Sequence, residues 1–210
     1  MKRIFIALFL SIIVCVPMVA QQSRQLRRSK TALYFPEFKD AKIFMSFGRF
    51  VKAKANILLK NGALCYLEGD NIMQANTKDI IGVEFDTVSY KKIDAEQMGR
   101  VVATKGSSAL LCVTKVDMEK YEEETGEDES FLAVTGSVND SQKWESDNGI
   151  PLEDKYYFYI KKKIVPANET KIKKFVRPEM KKAFKRLMAD RWWSWHDEES
   201  LKQILPYLPE

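Results

Sequence analysis

The sequence is poor in the residues from which many enzyme sites are built. It has one histidine, His196, and three cysteines among 210 residues. A Ser/His/Asp or Cys/His arrangement would have to use this single imidazole, and no serine stands in a nucleophile-elbow setting. The neighbouring Asp197 is better explained as a helix cap. Zinc would find few soft ligands here, and none has metal-ligand spacing. We therefore predict no catalytic residue, no metal site and no cofactor.

Long apolar runs are absent after residue 20. A helix that crosses a bilayer needs about twenty apolar residues, so we expect no transmembrane segment in the mature chain. Internal repeats and low-complexity tracts are also lacking. The formal net charge is +5, and loss of Lys2 and Arg3 with a leader would lower it to +3. Such a small excess does not indicate nucleic-acid binding.

The first twenty residues have the order of a secretory signal peptide. Lys2 and Arg3 give the positive start, and residues 4–16 form an apolar run too short for a permanent anchor. A small-residue site follows at residues 18–20, so we predict cleavage after Ala20. Cys15 offers lipidation as an alternative, but Val14 fits poorly before a lipidated cysteine. The sequence thus predicts export to the periplasm or the extracellular space.

Cys65 and Cys112 are the two cysteines that remain after cleavage. In an oxidising compartment an even pair is a candidate disulfide, and both residues lie in apolar, strand-like runs. The alternative is a pair of buried free thiols that pack as small hydrophobic side chains.

The N-terminal half of the mature chain has the pattern of antiparallel strands. Residues 21–32 are polar and basic and predict a flexible leader. Structure is expected from Leu33, and a second extended run is expected over residues 41–51. The dipeptide Asn61-Gly62 between two apolar runs predicts a hairpin with a type I′ turn, and residues 69–71 predict another turn.

Further strand-like runs continue to residue 166. They are Ile81–Phe85, Val101–Ala103, Ala109–Val116, Phe131–Thr135, Tyr156–Ile160 and Ile164–Val165. Strands this close in sequence, without helical patterns between them, indicate antiparallel meander pairing. The lysines at 161–163 fit an exposed turn or a guarded strand edge. We predict an α+β fold in which residues 33–166 form a small antiparallel β-sheet or partial barrel.

An acidic segment interrupts the strands between residues 117 and 129. It fits a solvated surface with a short helix that ends near Gly126. Calcium is the functional alternative, but the spacing and glycine of an EF-hand loop are absent.

Residues 167–210 change to a helical period and predict a tail of two or three helices packed on the sheet. Asn168 is a candidate N-cap, and Pro178 suits the first turn of the next helix. Apolar residues then recur at spacings of three and four; they are Met180, Ala183, Phe184, Leu187 and Met188. Ser194 or Asp197 is expected to cap a last helix that Pro206 stops.

Three tryptophans, Trp192, Trp193 and Trp195, lie between two of these helices. Packing at the helix junction is the simpler interpretation, with Trp192 continuing the apolar stripe. Contact with a partner protein or a glycan is the alternative, and Arg191 would join that site. The basic stretch 161–191 could meet anionic lipid headgroups, an acidic envelope polymer or the chain's own acidic segment, or simply be solvated.

The cleavage region, the hairpin over residues 56–76 and the tail over residues 188–205 resemble uncharacterised small secreted proteins of Bacteroidota. The resemblance covers most of the mature chain and implies a home in the envelope of a two-membrane bacterium, without a known activity. Asp86-Thr87-Val88 is also similar to the acceptor at which exported proteins of that group are O-glycosylated. This implies Thr87 as a candidate modified residue.

Two hypotheses of function follow. The first is a periplasmic or secreted non-catalytic domain that binds another envelope component, protein or glycan, through the sheet surface or the tail. The second is a hydrolase or transferase that acts on a polysaccharide through two carboxylates, because such a pair meets only in the fold.

Overall fold

A computed structural model describes residues 27–128, 132 and 148–209. Within these residues the chain forms eleven strands and four α-helices. The strands are β1 (Arg28–Ser29), β2 (Lys39–Met45), β3 (Phe50–Ile57), β4 (Leu64–Glu68), β5 (Asn71–Gln74), β6 (Ile80–Phe85), β7 (Ser89–Lys92), β8 (Met98–Lys105), β9 (Ser108–Val116), β10 (Ile150–Ile160) and β11 (Lys163–Pro166). The helices are α1 (Met118–Thr125), α2 (Glu169–Ile172), α3 (Lys181–Met188) and α4 (Glu198–Lys202).

All strands belong to one antiparallel sheet. Their order is β1-β10-β9-β8-β7-β6-β2-β3-β4-β5, and β11 also pairs with β10. Most neighbours in the sheet are neighbours in sequence, so the predicted meander is confirmed. The sheet is open, which settles the alternative of a partial barrel in favour of an open sheet with a helical C-terminal part.

The turn at Asn61-Gly62 differs from the prediction. The hairpin exists, but its loop begins at Leu58, whose amide N–H binds the Ala63 carbonyl oxygen at 2.8 Å. Gly62 has a positive φ of 75°, whereas Asn61 does not. The Asn61 side chain instead accepts a hydrogen bond from the Ala63 amide at 3.1 Å. A short polar side chain that bonds the backbone two residues on favours this wider turn.

A two-residue hairpin loop with positive φ at both positions does occur, at Lys161 and Lys162. They join β10 to β11 as a two-residue loop, with φ of 48° and 61°. Both are exposed, which agrees with the expected lysine turn. A left-handed conformation costs a non-glycine residue roughly 1–2 kcal/mol.

The N-terminal segment is structured from Arg27, so the predicted flexible leader over residues 21–32 is wrong for its last part. Strand β1 pairs with β10, and Ala32 is fully buried. Arg27 forms a salt bridge with Asp154 at 2.8 Å. Arg28 forms one with Glu124 of the acidic helix α1 at 2.5 Å. The basic residues therefore attach this segment to carboxylates of the same chain.

Asn56, which is fully buried, holds the next part of this segment against β3. Its side-chain oxygen accepts from the Phe35 amide at 3.0 Å, and its amide group donates to the carbonyl oxygens of Phe35 at 2.9 Å and Glu37 at 3.1 Å. The side chain thus replaces the backbone ladder that a paired strand would supply, as a buried backbone requires.

Side-chain caps account for several helix boundaries. Asp117 caps α1, and this helix ends at Gly126 in the left-handed conformation, where the acidic segment predicts its end. Asn168 caps α2, and Asp197, not Ser194, caps α4. Pro178 begins a 3-10 turn that leads into α3.

The helical tail shares one apolar cluster with the sheet. Leu110 of β9 and Phe158 and Ile160 of β10 meet Phe184 of α3 and Leu201 of α4 in this cluster. Arg100 of β8 and Glu198 of α4 add a salt bridge of 2.9 Å. The tail therefore covers part of one face of the sheet.

Two expectations lie outside the described residues. The signal peptide precedes them, and the strand predicted over residues 131–135 falls among them only at Leu132, which is buried.

Replacing Ile204→Ala is expected to lower the free energy of unfolding by about 2–5 kcal/mol, because Ile204 is fully buried in the cluster between tail and sheet. Denaturant unfolding followed by circular dichroism measures the loss. Gln203→Ala, at the exposed neighbouring position, is the control. Equal stability of the two variants would contradict the packing of the tail.

The double substitution Lys161→Asn with Lys162→Gly should raise the unfolding temperature by a few degrees, because both positions require positive φ. Lys161→Gln with Lys162→Gln removes the same charges without favouring the turn and should leave the temperature unchanged. An equal rise in the unfolding temperature of the control would show that the loss of charge, and not the turn conformation, causes the effect.

Candidate functional site

The β2–β3 hairpin ends in a tip that exposes an aromatic ring. The Met45 amide donates to the Arg49 carbonyl oxygen at 2.8 Å and closes a three-residue loop. Within it Phe47 has φ 64° and Gly48 has φ 75°, and the Phe47 side chain is 95% exposed. The run over residues 41–51, predicted as one extended segment, is therefore two strands and a turn.

Further exposed apolar residues surround this tip. Phe50 and Val51 are 51% and 52% exposed, and Ile81 of β6 is 56% exposed. Phe44 lies opposite Phe50 in the β2–β3 register. We call residues 42–52 the aromatic hairpin. Single exposed apolar residues are ordinary, whereas a contiguous apolar patch indicates an interaction site.

Lysines lie directly behind the aromatic rings. The Lys42 ammonium is 4.9 Å from the Phe44 ring centroid and 4.5 Å from that of Phe50. Lys52 is the register partner of Lys42. Residues 39–54 contain five basic residues and one acidic residue, Asp40. The hairpin is therefore aromatic at its end and cationic along its length.

The outer strand of the hairpin is an edge of the sheet. Strand β3 pairs with β4 only at Ala55–Ile57. In the part of the chain that the structure describes, residues 50–54 pair only with β2. Lys52 and Lys54 lie on this edge, where charged side chains oppose pairing with another strand.

The tryptophan group of the tail divides into packed and exposed members. Trp193 and Trp195 meet edge to face at 4.7 Å and pack against the tail cluster, and the Trp193 indole donates to the Ser200 carbonyl oxygen at 3.0 Å. Trp192 is 77% exposed with the Arg191 guanidinium 5.3 Å from its ring. Trp193, rather than Trp192 as predicted, thus joins the packed cluster.

The predicted disulfide is absent, because Cys65 and Cys112 are both free thiols. Five strands separate β4 from β9 in the sheet order. Cys65 packs with Leu33 and Leu58, in a different cluster from the tail. Burial raises the pKa of each thiol to about 12, which keeps both protonated at neutral pH. Neither has the depressed pKa of a nucleophile.

Polar side chains lie on the tail-facing side of the sheet. Tyr90, Arg100 and Cys112 follow one another across β7, β8 and β9. Thr114, two residues after Cys112, donates to Asp154 at 2.5 Å. The Tyr90 hydroxyl is buried here, and its burial raises the pKa of this group. Among the residues described, no His, Cys, Asp or Glu group is arranged to hold a metal ion.

A cavity of about 510 Å³ lies on the β2–β3–β6 surface. Three carboxylates line it, from Asp40, Glu84 and Asp86, together with Lys42 and Lys52. Lys42 is the register partner of Glu84, and a salt bridge of 3.0 Å links Asp40 to Lys54. Lysines thus alternate with the carboxylates, unlike the apolar setting that tunes one carboxyl group as a general acid.

Thr87 lies in the exposed bend between β6 and β7. The register of β2 with β6 places this bend at the Ala41 end of β2, away from Phe47. Glycosylation at Thr87 stays a prediction, and it would leave the tip uncovered.

No helix within the three described stretches has the length and hydropathy needed to cross a bilayer. No protein-family model, curated protein or solved structure matches this chain.

The aromatic hairpin is the feature that sequence reasoning missed. The signal was Phe47-Gly48 within an apolar run: glycine favours a turn, and basic residues alternate with aromatic ones on both sides. A phenylalanine in the left-handed conformation is rare enough that the run resembled one long strand.

Iodoacetamide should not modify Cys65 or Cys112 in the folded protein in mildly alkaline buffer, because both thiols are buried and protonated. After unfolding in guanidinium without reductant, both should be modified. Mass spectrometry of the two cysteine peptides gives the result. A requirement for reductant would restore the disulfide hypothesis.

Proposed function

We propose that this chain is an exported, non-catalytic domain that binds another component of the cell envelope through the aromatic hairpin. The observation that carries the proposal is the 95% exposure of Phe47 at the hairpin tip. Its neighbours Phe50 and Val51 are also exposed, so apolar surface extends from the tip onto the hairpin.

Exposed apolar side chains are concentrated at this position. Six large hydrophobic side chains are exposed among the described residues, and four of them are Phe47, Phe50, Val51 and Ile81. The remaining two, Met73 and Trp192, lie on β5 and in the tail. Because burial of a phenylalanine side chain is worth roughly 1.5–3 kcal/mol, a partner that covers this group gains substantial free energy.

Backbone strain at Phe47 supports the same proposal. A left-handed conformation suits glycine or asparagine, and phenylalanine there has a steric cost without packing in return. Strained residues of this kind concentrate at functional sites. The fold itself would be served better by a smaller residue.

Export is supported by the signal-like order of the first twenty residues. The leader and the hairpin together favour an envelope component as the partner. In the tail, Trp193 and Trp195 contribute to packing, so Arg191 and Trp192 are the candidate contact residues that remain there. Polysaccharide hydrolysis has no comparable support, since lysines intervene between the carboxylates of the cavity.

Site-specific photocrosslinking in the producing cell tests the proposal. A photoreactive amino acid in place of Phe50 should capture an envelope component, because Phe50 lies within the exposed patch. The same group in place of Met73, 39% exposed on β5, is the matched control, and in place of Trp192 it tests the tail.

Equal capture at positions 50 and 73, or none at 50, would contradict a role of the hairpin. Amino-terminal sequencing of the accumulated protein tests export and should begin at Gln21. A cytosolic protein that retains Met1 would contradict the exported location.

A further inference from the structure

We propose that the component bound by the aromatic hairpin is an anionic lipid bilayer, into whose headgroup region the tip inserts. This inference rests on the proposed function and specifies its partner. It concerns the apolar residues Phe44, Phe47, Phe50 and Val51. Lys42 and Lys52 lie behind them, and Arg49 lies beside the tip.

The distribution of apolar groups around the tip favours lipid over a protein groove. Adjacent residues of a strand point to opposite faces, so Phe50 and Val51 expose apolar surface on both sides of the hairpin. Phe47 exposes its ring at the end. The boundary of a bilayer surrounds an inserted tip on every side, so apolar surface on both faces and at the end of the hairpin suits insertion.

The charges lie at a depth that matches the headgroups. The backbones of Lys42 and Lys52 are two residues further from the tip than those of Phe44 and Phe50, which is about 7 Å at the rise of a strand. Interfacial segments bury their apolar surface roughly 5–10 Å into the headgroup and acyl boundary. The Lys42 ammonium group lies over the two rings, and both lysine side chains are long enough to reach the phosphates when the rings lie at this boundary. Arg49 lies beside the tip itself.

The charge balance specifies an anionic surface. In residues 39–54 five cationic side chains accompany the carboxylate of Asp40, which forms a salt bridge of 3.0 Å with Lys54. The carboxylate of Glu84, the register partner of Lys42, leaves this group of side chains net positive. Lys42 keeps its ammonium group over the two aromatic rings, so the cation and the apolar surface form one unit. A basic residue near an anionic membrane contributes about 1 kcal/mol of binding, which screening by salt reduces.

Vesicle sedimentation tests the inference. The protein is purified from the producing cell, with the amino terminus that it has there. The protein should bind vesicles of phosphatidylethanolamine with a minor fraction of phosphatidylglycerol, bind pure phosphatidylcholine vesicles much more weakly, and dissociate as salt is raised. Phe47→Asn should weaken binding by about tenfold or more, because it removes the aromatic group from the tip. The unfolding temperature should not fall, since asparagine tolerates the left-handed conformation.

A triple variant tests the charges. Lys42→Gln, Arg49→Gln and Lys52→Gln together should weaken binding to the anionic vesicles by about a hundredfold. Lys171→Gln, Lys173→Gln and Lys174→Gln form the matched control, since they remove the same charge from exposed positions of the tail. Trp192→Ala is the control for loss of an exposed aromatic ring elsewhere.

Unchanged binding by Phe47→Asn, or an equal loss in the two charge variants, would overturn the inference. Absence of vesicle binding combined with protein capture from position 50 would overturn it too, while the proposed function would stand. If neither vesicles nor envelope components are bound through the hairpin, both proposals fail.

Discussion

Burial of one face of a large open sheet is the constraint on which the rest of the structure depends. The chain meets it with segments from both ends. Tyr34 and Phe35 pack with residues of β2, β3 and β6, and the helical tail covers Leu110, Phe158 and Ile160. Backbone hydrogen bonds join residues 32–34 to residues 57–59, and the Asn56 side chain extends this pairing to the backbone of Phe35. The salt bridge between Arg100 and Glu198 joins the helical tail to the sheet.

This cover does not reach the end of the β2–β3 hairpin. Ile43 is buried in the core, but its register partner Val51 is half exposed. The hairpin thus has a root fixed by packing and an end that is free to make contacts. A rigid root and an exposed, strained tip together favour a binding role, since a contact group on a fixed scaffold loses little conformational entropy when it binds.

Local features of the fold could be predicted from sequence, and non-local ones could not. Caps at Asp117 and Asn168 and the end of α1 at Gly126 follow from residue chemistry within a few positions. Whether Cys65 and Cys112 can form a disulfide depends on the order of the strands between them, and no local sequence pattern predicts that order. The exposed patch was hidden for a related reason. Aromatic residues in an extended run predict a core, and only the limits of β4 and of the tail show that neither of these elements covers them.

Several core residues lie in the tail, which is synthesised last, and this affects when the chain can fold. The tail buries Leu201, Ile204, Leu205 and Leu208 against strands that are synthesised much earlier. The apolar face of those strands therefore stays uncovered while translation proceeds. The chain therefore cannot complete this core until its last residues have been synthesised, so the tail-facing side of the sheet acquires its final packing only after translation ends.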